Sequence, residues 1–340
     1  MKRIAPPLVS FGLCILVITL FLAVSTPSPL DTLGRFFSGT FSSWWYLGNM
    51  LNTAVLLIPA AIGSAVALRS GSLNLGGEAQ LYAPALVTAL LLSRIPDTVP
   101  VVPVFLAVLL AALATGAVLA AIPGILRVRF HASELLTSFL LSAALIPLLD
   151  YLVAGPLRDP GKNLLATRAI PETVRIPPIA GPSSFNLSVL PILLLAGFWA
   201  LIILRTRSGY RMSMTGTAPE FAVFTGIRTG RITVLGMTLS GALHGLTGFL
   251  AVTGTWYTCH QGITIGMGWS ALAVALIAGK HPLAIVPAAI IYAWIQISGD
   301  NALLSTRVDF DSTAILQAVL FLVISARTIP TIVQFRRKRP

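Results

Sequence analysis

Two runs of the chain, Ile176–Leu204 and Ile232–Gly279, contain no Asp, Glu, Lys or Arg. At about 20 residues per bilayer-crossing helix, the first run provides one crossing and the second provides two. In hydrocarbon each backbone polar group must be satisfied inside the fold, so these runs are read as helices. Composition agrees: 56% of the residues are apolar and 10% charged, where a soluble domain carries about 25% charge. The expected fold is therefore an all-α integral membrane domain over residues 1–340.

Ten segments are long and apolar enough to cross, near 8–24, 47–68, 78–93, 101–122, 134–154, 187–204, 232–253, 267–279, 282–298 and 312–329. The first follows Lys2-Arg3 and resembles a signal peptide ending at Ala23-Val24-Ser25, but it is long for one and is read as an uncleaved helix. With Lys2 and Arg3 inside, 16 of the 23 basic residues fall on the inner face, among them Arg69, Arg127, Arg129, Lys280 and Arg336–Arg339. Most acidic residues fall on or near the other face. That bias predicts both termini in the cytoplasm. The net charge of +12 is thus a topology signal, and it points to lipid and not to nucleic acid. The basic C-terminal tail reads as a membrane anchor that also favours anionic lipid. Cys14 and Cys259 are too few for a disulfide framework or a metal site, and no metal or cofactor is expected.

Between the sixth and seventh segments lies a polar interruption, Ser208–Ile227, flanked by Arg205, Arg207, Arg211, Arg228 and Arg231. Within it Thr217-Ala-Pro-Glu220 reads as a helix start: Thr217 as cap, Pro219 early in the helix and Glu220 completing a capping box. Phe221, Ala222, Phe224 and Thr225 form a short apolar face. A capped helix between basic anchors suits contact with a partner protein; the same residues also fit an ordinary basic loop. Two outer loops, 25–46 and the proline-rich 155–186, are candidate docking surfaces, the second also a candidate lid. Trp44, Trp45 and Tyr46 read as an interfacial aromatic belt.

Two further places break the helical pattern. Ser70–Gln80 carries three glycines, two amides and a carboxylate, and Gly262–Gly268 carries three glycines in seven residues. If the chain consists of two five-helix halves, these occupy corresponding positions, and an odd number of crossings per half inverts the second half. Unwound backbone at membrane depth is tolerated only against protein or water, which makes Asn74, Glu78, Gln80, Gly266 and Gly268 candidates for a transport pathway. Glu78 also reads, and more readily, as a structural charge at a helix N-terminus, paired with Arg69. Asn74 and Gln80 either hydrogen-bond a hydroxylated solute or stitch the broken segment to its neighbours. His244, among Gly241, Gly245 and Gly248, reads as an interhelical hydrogen-bonder.

Enzyme chemistry is not supported. There is no G-x-x-x-x-G-K-[S/T], no H-E-x-x-H and no G-x-S-x-G, and the acids are too dispersed for a carboxylate pair.

Asn74-Leu-Gly-Gly-Glu-Ala-Gln80 resembles the N-I-G-x-E-G-Q segment of permease subunits in bacterial ATP-binding-cassette importers for nucleosides, within the superfamily that also serves ribose-type sugars and branched-chain amino acids. Gly216, Pro219, Glu220, Ala222, Gly226 and Ile227 fit that group's loop pattern. Further matches are Glu134–Thr137, Tyr151–Leu157, Ser240–Gly248 and Gly268–Gly279 followed by Pro282, so the resemblance covers about 50 to 325. The chain departs from the pattern at Ala79, Ser142, Ala218, Phe221 and His244. The resemblance implies a cytoplasmic ATPase on the 205–231 loop, where Gly209, Gly216 and Gly226 turn the chain and Phe221 and Phe224 fill a cleft on the ATPase. It also implies an extracytoplasmic solute-binding protein, and a second, paralogous permease chain making a heterodimer. The solute remains open between nucleosides, sugars and branched-chain amino acids, and an ATP-independent secondary transporter or channel is the reading from another class.

Overall fold

The computed structural model describes residues 28–304 except 96–98, 180 and 265, together with residues 16, 19 and 20, which are helical. Most of the segment expected at 8–24, all of that at 312–329, Cys14 and the basic tail lie outside the described residues. The described chain is helical, with no β-strand and only two isolated antiparallel bridges, Ala166 with His260 and Pro178 with Asn186. Its helices are α1 (Pro29–Ser38), α2 (Trp44–Arg69), α3 (Gly77–Leu92), α4 (Val101–Phe130), α5 (Glu134–Ala154), α6 (Val189–Arg205), α7 (Arg207–Thr217), α8 (Pro219–Phe224), α9 (Thr229–Leu250), α10 (Met267–Ile277) and α11 (Ile285–Leu304).

Among the described residues five spans are long and apolar enough to cross a membrane: Trp44–Arg69, Val101–Phe130, Glu134–Ala154, Thr229–Trp256 and Pro282–Asn301. A sixth is obtained if α6 and α7, bent 74° against each other, count as one. Two apolar helices, α3 and α10, are shorter. The fourth expected segment runs eight residues beyond its predicted end at 122, because Pro123 stays inside α4 and does not end it. Gly124 packs beside Met237 and Val234 of α9 at that point, and neighbouring helices are what let a proline persist in a membrane helix. α4 ends where His131 takes a left-handed cap conformation.

The chain divides into two compact units, 1–51 with 290–340, and 52–289. In the described part of the first, α1 forms within what the sequence reading left as an outer loop. Pro29 begins the helix, Asp31 and Arg35 pair at i,i+4 on its exposed side, and Phe36 is fully buried. Phe36 and Phe37 flank the Trp294 ring, and the Thr40 and Ser298 hydroxyls are hydrogen-bonded at 2.7 Å.

In the second unit α9 is the hub. Lipid tails are as apolar as leucine, so helices in a membrane associate through close packing and hydrogen bonds. α9 carries the small residues that allow this. A Cβ on either Gly116 of α4 or Gly241 of α9 would fall on the carbonyl of the other, so the two backbones touch. The Thr247 hydroxyl donates to the Leu56 carbonyl of α2 at 3.0 Å. Leu106, Leu110, Val118, Leu136, Leu140, Leu194 and Phe198 on α4, α5 and α6 are left exposed. Such a surface is untenable in water and ordinary against lipid.

Candidate functional site

The two glycine-broken segments meet. α3 has 16 residues and α10 has 11, so at 1.5 Å per residue they are about 24 and 16 Å long, both short of the ~30 Å hydrocarbon core. Each is preceded by non-helical chain: 70–76 before α3, and 257–264 with 266 before α10. Their N-termini abut. A Cβ at Gly268 would lie 2.5 Å from the Glu78 amide nitrogen and 2.6 Å from the Gly77 carbonyl carbon, and one at Gly77 would lie 2.9 Å from the His244 ring. Gly266, at φ 73°, takes the left-handed conformation that starts α10.

Glu78 sits in this junction, 7% exposed. Its carboxylate accepts the Trp269 N–H at 3.2 Å and is also hydrogen-bonded to the Gly268 amide and the Thr264 hydroxyl. The acid therefore sits at the positive ends of both half-helices. The expected pairing with Arg69 does not form: Arg69 donates to the Lys280 carbonyl at 2.7 Å and to the Ser213 hydroxyl at 2.9 Å.

Asn74 and Gln80 exchange amide hydrogen bonds at 2.7 and 3.0 Å, and Asn74 also donates to the Ser240 hydroxyl. The freed amides of Leu75 and Ala79 are taken up by Ser138 and Ser142 of α5, both at 3.1 Å. Each contact answers the same demand, since a buried N–H left without a partner costs about 1–3 kcal/mol. Of the two roles open to the amides, stitching is the one made in this conformation. His244, buried, contacts the Ser240 carbonyl through Nδ1 at 2.8 Å and adjoins Gly77 with its other nitrogen, joining α9 to the junction.

The far side of the junction is closed by the long connection. Thr167, Ile170 and Ile176 donate backbone hydrogen bonds to the carbonyls of Cys259, Tyr257 and Thr253, so 165–176 is laid along the approach to α10. Asp150 of α5 accepts from the Tyr82 hydroxyl at 2.8 Å and from the Gly262 amide at 3.2 Å. Asn186 donates to Asn52 and to the Gly254 carbonyl.

The Arg205–Arg231 stretch is two helices at a bend. Thr206 caps α7 by accepting from the Gly209 amide at 3.2 Å. A Cβ at Gly209 would run into the backbone of Ile202 and Ile203, so glycine permits the fold-back. Gly216 rests on the Arg69 carbonyl, which seats α7 on the end of α2. Arg69 thereby ties together α2, α7 and the turn after α10. The helix start expected at Thr217 is displaced by one residue. Thr217 ends α7, its hydroxyl donates back to the Ser213 carbonyl at 2.8 Å, and Ala218 occupies the cap of α8 without a side-chain bond. No capping box with Glu220 forms; Pro219 does open the helix. In α8 Ala222 is buried, whereas Phe221, Val223 and Phe224 are 51%, 60% and 90% exposed. Gly226, at φ 78°, turns the chain back toward α9.

Arg127 was legible only as a topology charge, and Arg69 as that or as a partner for Glu78. Arg127 holds the start of the broken segment, donating to the Gly71 carbonyl, the Ser72 hydroxyl and Glu134 at 2.6–2.9 Å. The visible signal was Arg69, next in sequence to the Ser70–Gln80 break. Among the described residues no group of three His, Cys, Asp or Glu side chains could hold a metal.

The profile of the family described as "Branched-chain amino acid transport system / permease component" matches residues 46–326. A protein described as a probable riboflavin import permease, from Treponema pallidum, is 38% identical over 96% of this chain and 86% of its own length. A glucose ABC transporter permease of Haloferax volcanii is 26% identical over 95% of this chain and 90% of its own length. A guanosine ABC transporter permease of Bacillus subtilis is 25% identical over 96% and 94%. No solved structure matches the chain.

Proposed function

The chain belongs to the permease family of branched-chain amino acid transport systems, ABC transporter permeases of the membrane, and from that premise we propose that it is the gate of an importer for a heteroaromatic solute bearing a hydroxylated chain or sugar. The observation that carries the reading is the junction of α3 and α10. Two half-helices that meet end to end, held by glycine contact and by Glu78, form an element that can part without unfolding either helix. Asn74, Glu78, Gln80, Gly266 and Gly268 then border the pathway.

The proposed architecture has ten crossings in two five-helix halves of inverted topology, with both termini in the cytoplasm and the protein in the bacterial inner membrane. An ATP-binding-cassette ATPase grips α8 through Phe221 and Phe224. Its closure is passed to the gate by α7, seated at Gly216 on the end of α2 and tied by Arg69 to the turn after α10. A solute-binding protein delivers from the other face, at 25–46 and 155–186, and a paralogous permease completes a heterodimer. The chain itself carries out no bond-making chemistry.

Riboflavin is the first solute to test, on the strength of the 38% identical relative. Nucleosides are the second reading, favoured by the Asn74–Gln80 segment and the guanosine relative. Both join a nitrogen-rich ring to a hydroxylated chain or sugar, which separates them from glucose and leucine. Uptake of labelled riboflavin and guanosine into cells producing the complete transporter is expected to be displaced by either compound class and untouched by glucose or leucine. Displacement by glucose or leucine alone would return the assignment to the sugar or amino acid alternatives.

A further inference from the structure

On the flank of the bent loop, α7 and the 225–235 segment enclose an open cavity of about 660 Å³. Arg207, Arg211, Arg228 and Arg231 line it together with Ile232 and Leu235, and no acidic residue is among its lining residues. Among the described residues none of these four arginines takes part in an ion pair; the acids that do pair are committed to Arg35, Arg127 and Arg175. Four guanidinium groups facing one space repel one another unless an anion enters, and their planar forks match phosphate oxygens bidentately.

The apolar side of the cavity decides what kind of anion fits. Ile232 and Leu235 lie on α9, one of the spans apolar enough to cross a membrane, and Leu235 is 58% exposed. A basic mouth continuous with an exposed apolar helix face suits a ligand whose charged head adjoins a hydrocarbon tail. We propose that this cavity binds the phosphodiester headgroup of an anionic phospholipid, with an acyl chain along Ile232 and Leu235. The proposal rests on the cavity and on the membrane setting, and not on the ATPase-coupling role. Phe221 and Phe224, assigned to the ATPase, do not line it. Lipid in this cavity would touch both α7 and the start of α9, and so would report on the angle between them.

The test is native mass spectrometry of the delipidated full-length chain, titrated with phosphatidylglycerol or with phosphatidylcholine. Phosphatidylglycerol is expected to bind at least about tenfold more tightly, because each basic group near an anionic lipid adds to binding. The paired substitution Arg211→Gln/Arg228→Gln should lower that affinity about tenfold or more, on the same ground. Arg211→Lys/Arg228→Lys should keep most of it, and Arg129→Gln, outside the cavity, should change nothing. All the substituted arginines are exposed, Arg129 and Arg228 at helix ends and Arg211 within α7, and unchanged gel-filtration behaviour checks the fold. Millimolar inorganic phosphate should leave the lipid bound. Equal affinity for the two lipids, or undiminished binding by the Gln pair, would overturn the proposal. Displacement by inorganic phosphate would overturn the lipid assignment in favour of a free anion.

Discussion

Gly268→Val is expected to abolish uptake while the protein still reaches the membrane in normal amount. Any Cβ at residue 268 would sit 2.5 Å from one backbone atom of the α3 start and 2.6 Å from another. Neither neighbour is a side chain that could swing aside, so α3 and α10 must move apart. Overpacking of a close contact costs about 1–3 kcal/mol, and here it falls on the hydrogen bonds that Glu78 makes across the junction. The order of activity should be glycine, then alanine, then valine. Gly197→Ala is the matched control in α6, where an added Cβ meets nothing within 4 Å. Normal uptake by Gly268→Val would mean that the gate lies elsewhere.

The second large effect is on partner binding. Phe221 and Phe224 are exposed rings on a helix of six residues, and uncovered aromatic groups of this kind mark interaction surfaces. Truncating a buried aromatic anchor at an interface costs about 2–4 kcal/mol, so Phe221→Ala/Phe224→Ala should weaken ATPase binding by about a hundredfold or more. The buried Ala222 and the seat of Gly216 are untouched by this change. Insertion and thermal stability should therefore be those of the parent chain. Unaltered ATPase binding in a titration of the purified complex would place the coupling surface elsewhere.

What the sequence disclosed, and what it withheld, follows from the range of the interactions involved. Hydrophobic runs interrupted by Ser70–Gln80 and Gly262–Gly268 mark broken helices, because glycine and polar groups inside apolar chain have few other uses in a membrane. That Gly77 lands on Gly268 is a contact between residues far apart in the chain, and no local pattern encodes it. The capping expectation at Thr217 failed on a local competition: its hydroxyl bonds backward to Ser213, one turn up α7, and so cannot cap forward. Arg69 was assigned to Glu78 because they are the nearest opposite charges in sequence. In the fold, Glu78 is satisfied by backbone amides, and Arg69 is drawn to a carbonyl and a hydroxyl. α1 was hidden in an expected loop because ten residues are too few to register as a span.

The central claim is that the junction opens only when an ATPase on α8 moves the loop. The direct measurement is solute uptake into sealed proteoliposomes holding the permease chains, with or without the ATPase and ATP and with solute-binding protein supplied outside the vesicle. The account predicts uptake only when ATPase and ATP are both present on the loop's side, and none from an ion gradient alone. Uptake by the permease without the ATPase, at a rate set by an ion gradient, would contradict it.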